Sequence, residues 1–167
     1  MYREYLLNIS DYFSLLSKKE ASFEFIPPCI IGIIAFIYSF NGLSLYEVVV
    51  EIVHLLEVLL GFLLAALALF VTINTEKVKL LKEHKVNKHI VGEKENINLY
   101  RYVIIEFSYL IFVVTALCIG YLIGLIVPYY NDILASIVNS IYIFISFHIL
   151  FAIVRTLTSL SFILQRD

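Results

Sequence analysis

Residues 45–73 read LYEVVVEIVHLLEVLLGFLLAALALFVTI, and the spacing of their polar and small members decides how the chain folds. At about 100° per residue, Glu47, Glu51, His54 and Glu57 fall in one sector of a helix, and Gly61, Ala65, Ala68 and Thr72 fall in the same sector. That sector is only about 120° wide. Val50, Val58 and Leu69 alone interrupt it, and every other position from Val48 to Val71 is Val, Leu, Ile, Phe or Ala. One helix thus carries an acidic half-stripe followed by a small-residue half-stripe. At about 1.5 Å per residue it reaches about 40 Å, beyond the hydrocarbon core of about 30 Å. The stretch predicts a membrane-spanning helix whose polar face is kept from lipid.

Working outward, the whole chain of 167 residues is 61% hydrophobic and only 16% charged, with mean hydropathy +0.92. Those values exclude an ordinary soluble domain. The net charge of −2 matters less than where the charges lie. All twelve Lys and Arg lie in the first 25 residues, in residues 77–101, or from Arg155 onward. Cys29 and Cys118 each sit in an apolar run, where a thiol behaves as a small hydrophobe, and two cysteines make no disulfide framework. The start, MYREYLLNISDYF, lacks the basic and apolar blocks of a secretory signal, so the first span is expected to act as its own targeting signal.

The expected fold is all-α, an integral membrane four-helix bundle with spans at residues 26–42, 45–73, 102–127 and 133–156. Residues 1–22 place Tyr2, Tyr5, Leu6, Ile9, Tyr12, Phe13 and Leu16 at helical spacing, as an amphipathic interfacial helix does. A helix packed on the protein's own cytosolic loop fits that spacing equally. Pro27 and Pro28 suit a helix's first turn, which starts the first span near Ile26, and Asn41-Gly42 suits the turn that ends it. The second span is expected to run on as a cytosolic extension through Glu76, Lys77, Lys79, Lys82 and Glu83. Residues 74–101 then form a basic loop with Gly92 as its break, and 157–167 a cytosolic tail. Lys and Arg mark cytoplasmic loops. The middle loop holds seven and the connections around residues 41–46 and 127–132 none, which puts both termini and the middle loop in the cytosol.

Carboxylates inside a membrane face a bundle interior or water. Repeated around a homo-oligomer axis, Glu47, Glu51, His54 and Glu57 would form acidic rings that select cations, with Gly61, Ala65, Ala68 and Thr72 continuing the pore wall. Leu64, Leu69 and Val71 at the sector edge are candidates for a dewetting gate. A protonated, hydrogen-bonded seam between helices explains the same stripe. Glu51 and His54 also match the Glu-x-x-His spacing of di-metal bundles, with Glu57 as a third ligand. The second such motif is missing, so neither metal nor cofactor is expected. The small-residue ladder and the Gly120 to Gly124 G-x-x-x-G read as packing seams. Glu106 and Arg155 match in depth and are expected to form a structural ion pair, and His148 is read as a satisfied histidine. Lys77, Lys79, Lys82, Lys85 and Lys88, with His84 and His89, form the candidate cytosolic site for a nucleotide, an oligonucleotide or anionic lipid. Positive-inside topology alone also accounts for them. No P-loop, H-E-x-x-H, G-x-S-x-G, C-x-x-C or Rossmann glycine run is present, and an enzyme is not expected.

The segment GFLLAALALFVTIN, Gly61 to Asn74, with the Lys-rich stretch after it, resembles small four-span membrane effectors of bacterial anti-phage operons, of the Hailong type and of CBASS systems. The resemblance covers about half the chain and rests on layout and on this one helix. It implies an oligomeric channel in the bacterial inner membrane that depolarises the cell, with a cytosolic side that senses a nucleotide or oligonucleotide. The alternative is a non-conducting anchor or assembly subunit that docks a soluble partner on the Lys77 to Arg101 loop. A proton-coupled carrier ranks third, because no internal duplication is evident.

Overall fold

In the computed structural model, residues 2–72, 76–86, 88, 97–126 and 132–164 are described. They form six helices: α1 (Tyr2–Leu15), α2 (Lys18–Phe40), α3 (Tyr46–Thr72), α4 (Glu76–Glu83), α5 (Leu99–Ile126) and α6 (Asp132–Leu164). Of these, α2, α3, α5 and α6 are long and apolar enough to cross a bilayer, which makes this a multi-pass membrane protein by length and composition. α2 packs mainly on α6 and α3 mainly on α5, with α1 and α4 laid against α5.

The start of α2 departs from the expectation of a helix beginning at Pro27 and Pro28. It begins nine residues earlier than Pro27, at Lys18, behind a complete capping box in which the Ser17 hydroxyl accepts from Glu20 N–H and the Glu20 carboxylate accepts from Ser17 N–H. Both prolines lie inside the helix. The first span therefore covers 23 residues rather than a shortened run, and it carries Glu24 into the bundle. At its far end Asn41 and Gly42 do form the turn, and Gly42 adopts φ 83°, a conformation that favours glycine.

α1 ends at Leu15, short of the expected residue 22, and it is not free-standing. Tyr12 and Leu15 are fully buried in a core shared with α5. α4 packs Val78 and Leu81 toward the same core. Residues 73–75 lie outside the described residues, as does the expected break at Gly92. After α4 the chain turns back through an antiparallel bridge between Lys85 and Asn98, with Val86 N–H donating to Ile97 O at 2.8 Å. On the returning segment Lys88 lies against Glu20 and Tyr102. At the other end of the molecule a smaller core joins Ala35, Leu45, Val49, Val53 and Ile143.

Close approach of α2 to α6 depends on Gly32. A Cβ there would lie 3.0 Å from Phe144 Cβ, an atom fixed to the α6 backbone that cannot swing aside. Gly32→Ala gains about 1 kcal/mol of helix propensity and loses about 1–3 kcal/mol to overpacking. A net loss of about 1 kcal/mol is expected, read as a lower thermal midpoint in detergent.

Candidate functional site

Two groups of polar residues stand out. The first is the α3 stripe. Glu47, Glu51, His54, Glu57, Gly61, Ala65, Ala68 and Thr72 are all exposed on the protomer. The opposite face of α3 is the buried one, with Val49, Val53, Leu56 and Leu63 turned into the bundle. α3 is the least covered of the four spans and α5 the most. Within the stripe, His54 Nδ1 lies 3.4 Å from Glu57 Oε2, and the Thr72 hydroxyl donates back to Ala68 O at 2.8 Å. A Cβ on Gly61 would meet nothing within 4 Å, so no neighbour among the described residues requires glycine there. The gate candidates Leu64, Leu69 and Val71 are exposed on the same side of the molecule. Glu51 and His54 gather no third ligand, and no group of three metal-binding side chains forms among the described residues.

The second group lies inside the bundle, where α1, α2, α5 and α6 meet. Arg155 on α6 is bridged by two carboxylates, Glu24 from α2 and Glu106 from α5, all three of them buried. Arg155 Nε donates to Glu24 Oε1, and Arg155 Nη1 lies 2.8 Å from Glu106 Oε1. The Tyr12 hydroxyl donates to Glu24 Oε2 at 2.7 Å, and Arg155 Nη1 donates to the Tyr102 hydroxyl at 3.0 Å. Burial pushes the Tyr12 phenol above its ordinary pKa against the pull of Arg155, so it keeps the proton it donates. Its ring stacks on Tyr109 with centroids 3.6 Å apart. Glu106 is held by charge more than by aligned hydrogen bonds. Neither of its oxygens nor Arg155 Nη2 has a hydrogen-bond partner of good geometry, although the hydroxyls of Tyr102 and Thr156 stand beside it.

Glu106 and Arg155 thus meet as their matched depths suggested, but Glu24 and Tyr12 were missed. The double proline had placed Glu24 outside the first span. The same prolines explain His148. Pro28 has no N–H, so the carbonyl of Glu24, four residues back, loses its helical donor. His148 Nδ1 lies 3.3 Å from that carbonyl oxygen and supplies the missing hydrogen bond. Nδ1 then carries the proton, and Nε2 accepts from the Tyr109 hydroxyl at 2.8 Å. A proline and a histidine 120 positions apart in the sequence were the signal.

The basic segment is only partly available to a ligand. Lys88 Nζ binds Glu20 at 3.0 Å and lies 4.9 Å from the Tyr102 ring centroid, which ties the returning loop to α2 and α5. That corrects its place in a free cationic site. Lys82 stands over the Tyr100 ring at 4.8 Å. Lys79, Lys82 and Lys85 are exposed, and the side chain of Lys77 and residue His89 lie outside what is described. Gly120 serves a seam within the protomer, since a Cβ there would lie 2.8 Å from the Tyr142 hydroxyl of α6. No protein family, curated protein or solved structure matches this chain.

Proposed function

We propose that the protein is a homo-oligomeric, cation-conducting membrane channel whose second span lines the pore. The observation that carries this reading is that the polar sector of α3 is not covered by the protomer's own helices. Glu47, Glu51, His54 and Glu57 lie on the exposed side of α3, beside exposed Val48, Leu55 and Phe62, while the buried side is apolar, with Val49, Val53, Leu56 and Leu63. In a bilayer a lone protomer would present Glu51 and Glu57 to acyl chains, which is costly for ionisable groups at depth. Copies arranged with this sector around an axis remove that cost, and water admitted by the carboxylates then leads toward Leu64, Leu69 and Val71. No Lys or Arg lies between residues 26 and 76 to neutralise the stripe.

In the same reading the basic loop and both termini face the cytosol, and opening depolarises an inner membrane in response to a nucleotide-like anion met by Lys79, Lys82 and Lys85. That last element rests on the resemblance to anti-phage effectors. Planar-bilayer recording of purified protein is the test. The double variant Glu51→Gln/Glu57→Gln is expected to lower cation conductance about fivefold, the effect of losing about 1 kcal/mol of attraction in a watery vestibule. Unchanged current in the variant removes the acidic rings, and absence of current from intact oligomers leaves the anchor subunit as the better reading.

A further inference from the structure

At the end of the bundle opposite the charge cluster, the structure contains a cavity of about 670 Å3 between the end of α2, the start of α3, the end of α5 and the start of α6. We propose that this cavity binds an organic ammonium group. Its volume falls within the range of about 300–1,000 Å3 typical of small-molecule sites. Among the described residues its walls combine aliphatic side chains with Phe40, Tyr46, Tyr121, Tyr142, Asn139 and the acidic Asp132, and none of them is basic. The Tyr121 and Tyr142 rings stand at 83° to each other with centroids 6.4 Å apart, two walls of an aromatic corner. Tyr46 lines the same cavity.

The hydroxyls that need no ligand are accounted for within the protein. Ser39 donates to Ser136 at 2.9 Å, and Ser136 donates to the Asp132 carbonyl oxygen at 2.9 Å. The same lining combines one carboxylate with several aromatic rings, the combination that attracts quaternary and alkylated ammonium ions. An anion would meet Asp132 with no compensating charge nearby in sequence, because residues 26–76 and 102–154 carry no Lys or Arg. Asp132 also stands in the first turn of α6, where a carboxylate steadies the helix terminus. It lines the same cavity as Tyr46, Tyr121 and Tyr142. Gly120 acts as a positioning residue, since it leaves the room that the Tyr142 hydroxyl occupies.

The ammonium group has two sources, a free amine or a lipid headgroup. Full-length protein in phosphatidylglycerol nanodiscs is titrated calorimetrically with tetramethylammonium chloride against sodium chloride of equal ionic strength. Saturable binding near about 1 mM or tighter is expected. Asp132→Asn and Tyr142→Leu should each weaken it about fivefold or more, and Gly120→Ala should weaken it by displacing the ring. Tyr142→Phe, which keeps the π-face and guards against a folding defect, should bind nearly as the parent does. Loss of the signal on adding phosphatidylethanolamine identifies the headgroup as occupant, and persistence identifies a free ammonium ion. The proposal is overturned by an absence of saturable binding, or by Asp132→Asn and Tyr142→Leu proteins that bind like the parent.

Discussion

Arg155→Met is expected to destabilise the protein by about 3–5 kcal/mol, the cost of leaving buried carboxylates without their counter-charge. The size of the effect follows from the arrangement. One guanidinium serves both Glu24 and Glu106, neither of which reaches solvent. It also holds Tyr102 and stands 5.4 Å from the Tyr12 ring centroid, so its loss loosens α1, α2 and α5 from α6 together. The triple variant Glu24→Gln/Glu106→Gln/Arg155→Met should recover most of that loss, because it removes the stranded charges along with the arginine. Thermal unfolding in nanodiscs compares the two. A single variant that melts with the parent, or a triple variant no better than the single, contradicts the account.

Gly61→Leu should have the opposite pattern, leaving the protomer sound and breaking the assembly. Nothing among the described residues lies within 4 Å of the new Cβ, and a substitution at such an open site usually moves stability by no more than about 0.5 kcal/mol. At a contact between α3 helices of neighbouring copies, the added bulk would cost about 1–2 kcal/mol, which is about tenfold in association for each contact. Native mass spectrometry and bilayer current should therefore both fall while the protomer's melting temperature holds. Retained oligomers with undiminished current would mean that the stripe meets no partner, and the channel reading would lose its foundation.

Hydropathy was enough to find the four long helices, since the tendency of each apolar run to leave water belongs to the run itself. The polar sector of α3 was equally legible, because residues at helical spacing share a face whatever surrounds the helix. Depth matching brought Glu106 and Arg155 together for a similar reason: equal rise per residue sets equal height in the bilayer. The start of α2 was misread because proline is a local signal with two meanings. It opens helices, but a helix already capped at Ser17 and packed along α6 tolerates it when another group takes the carbonyl it frees.

The amino-acid order by itself thus determined the spans, the polar stripe and the lack of basic residues over 26–76 and 102–154. Tertiary structure alone decided that this stripe faces outward from the protomer, that α1 is anchored through Tyr12, and that Glu24 completes the charge cluster. The Glu24 and Arg155 partners are 131 residues apart. Periodicity reports which residues share a face of one helix, whereas a buried charge chooses its partner by the geometry of several helices at once.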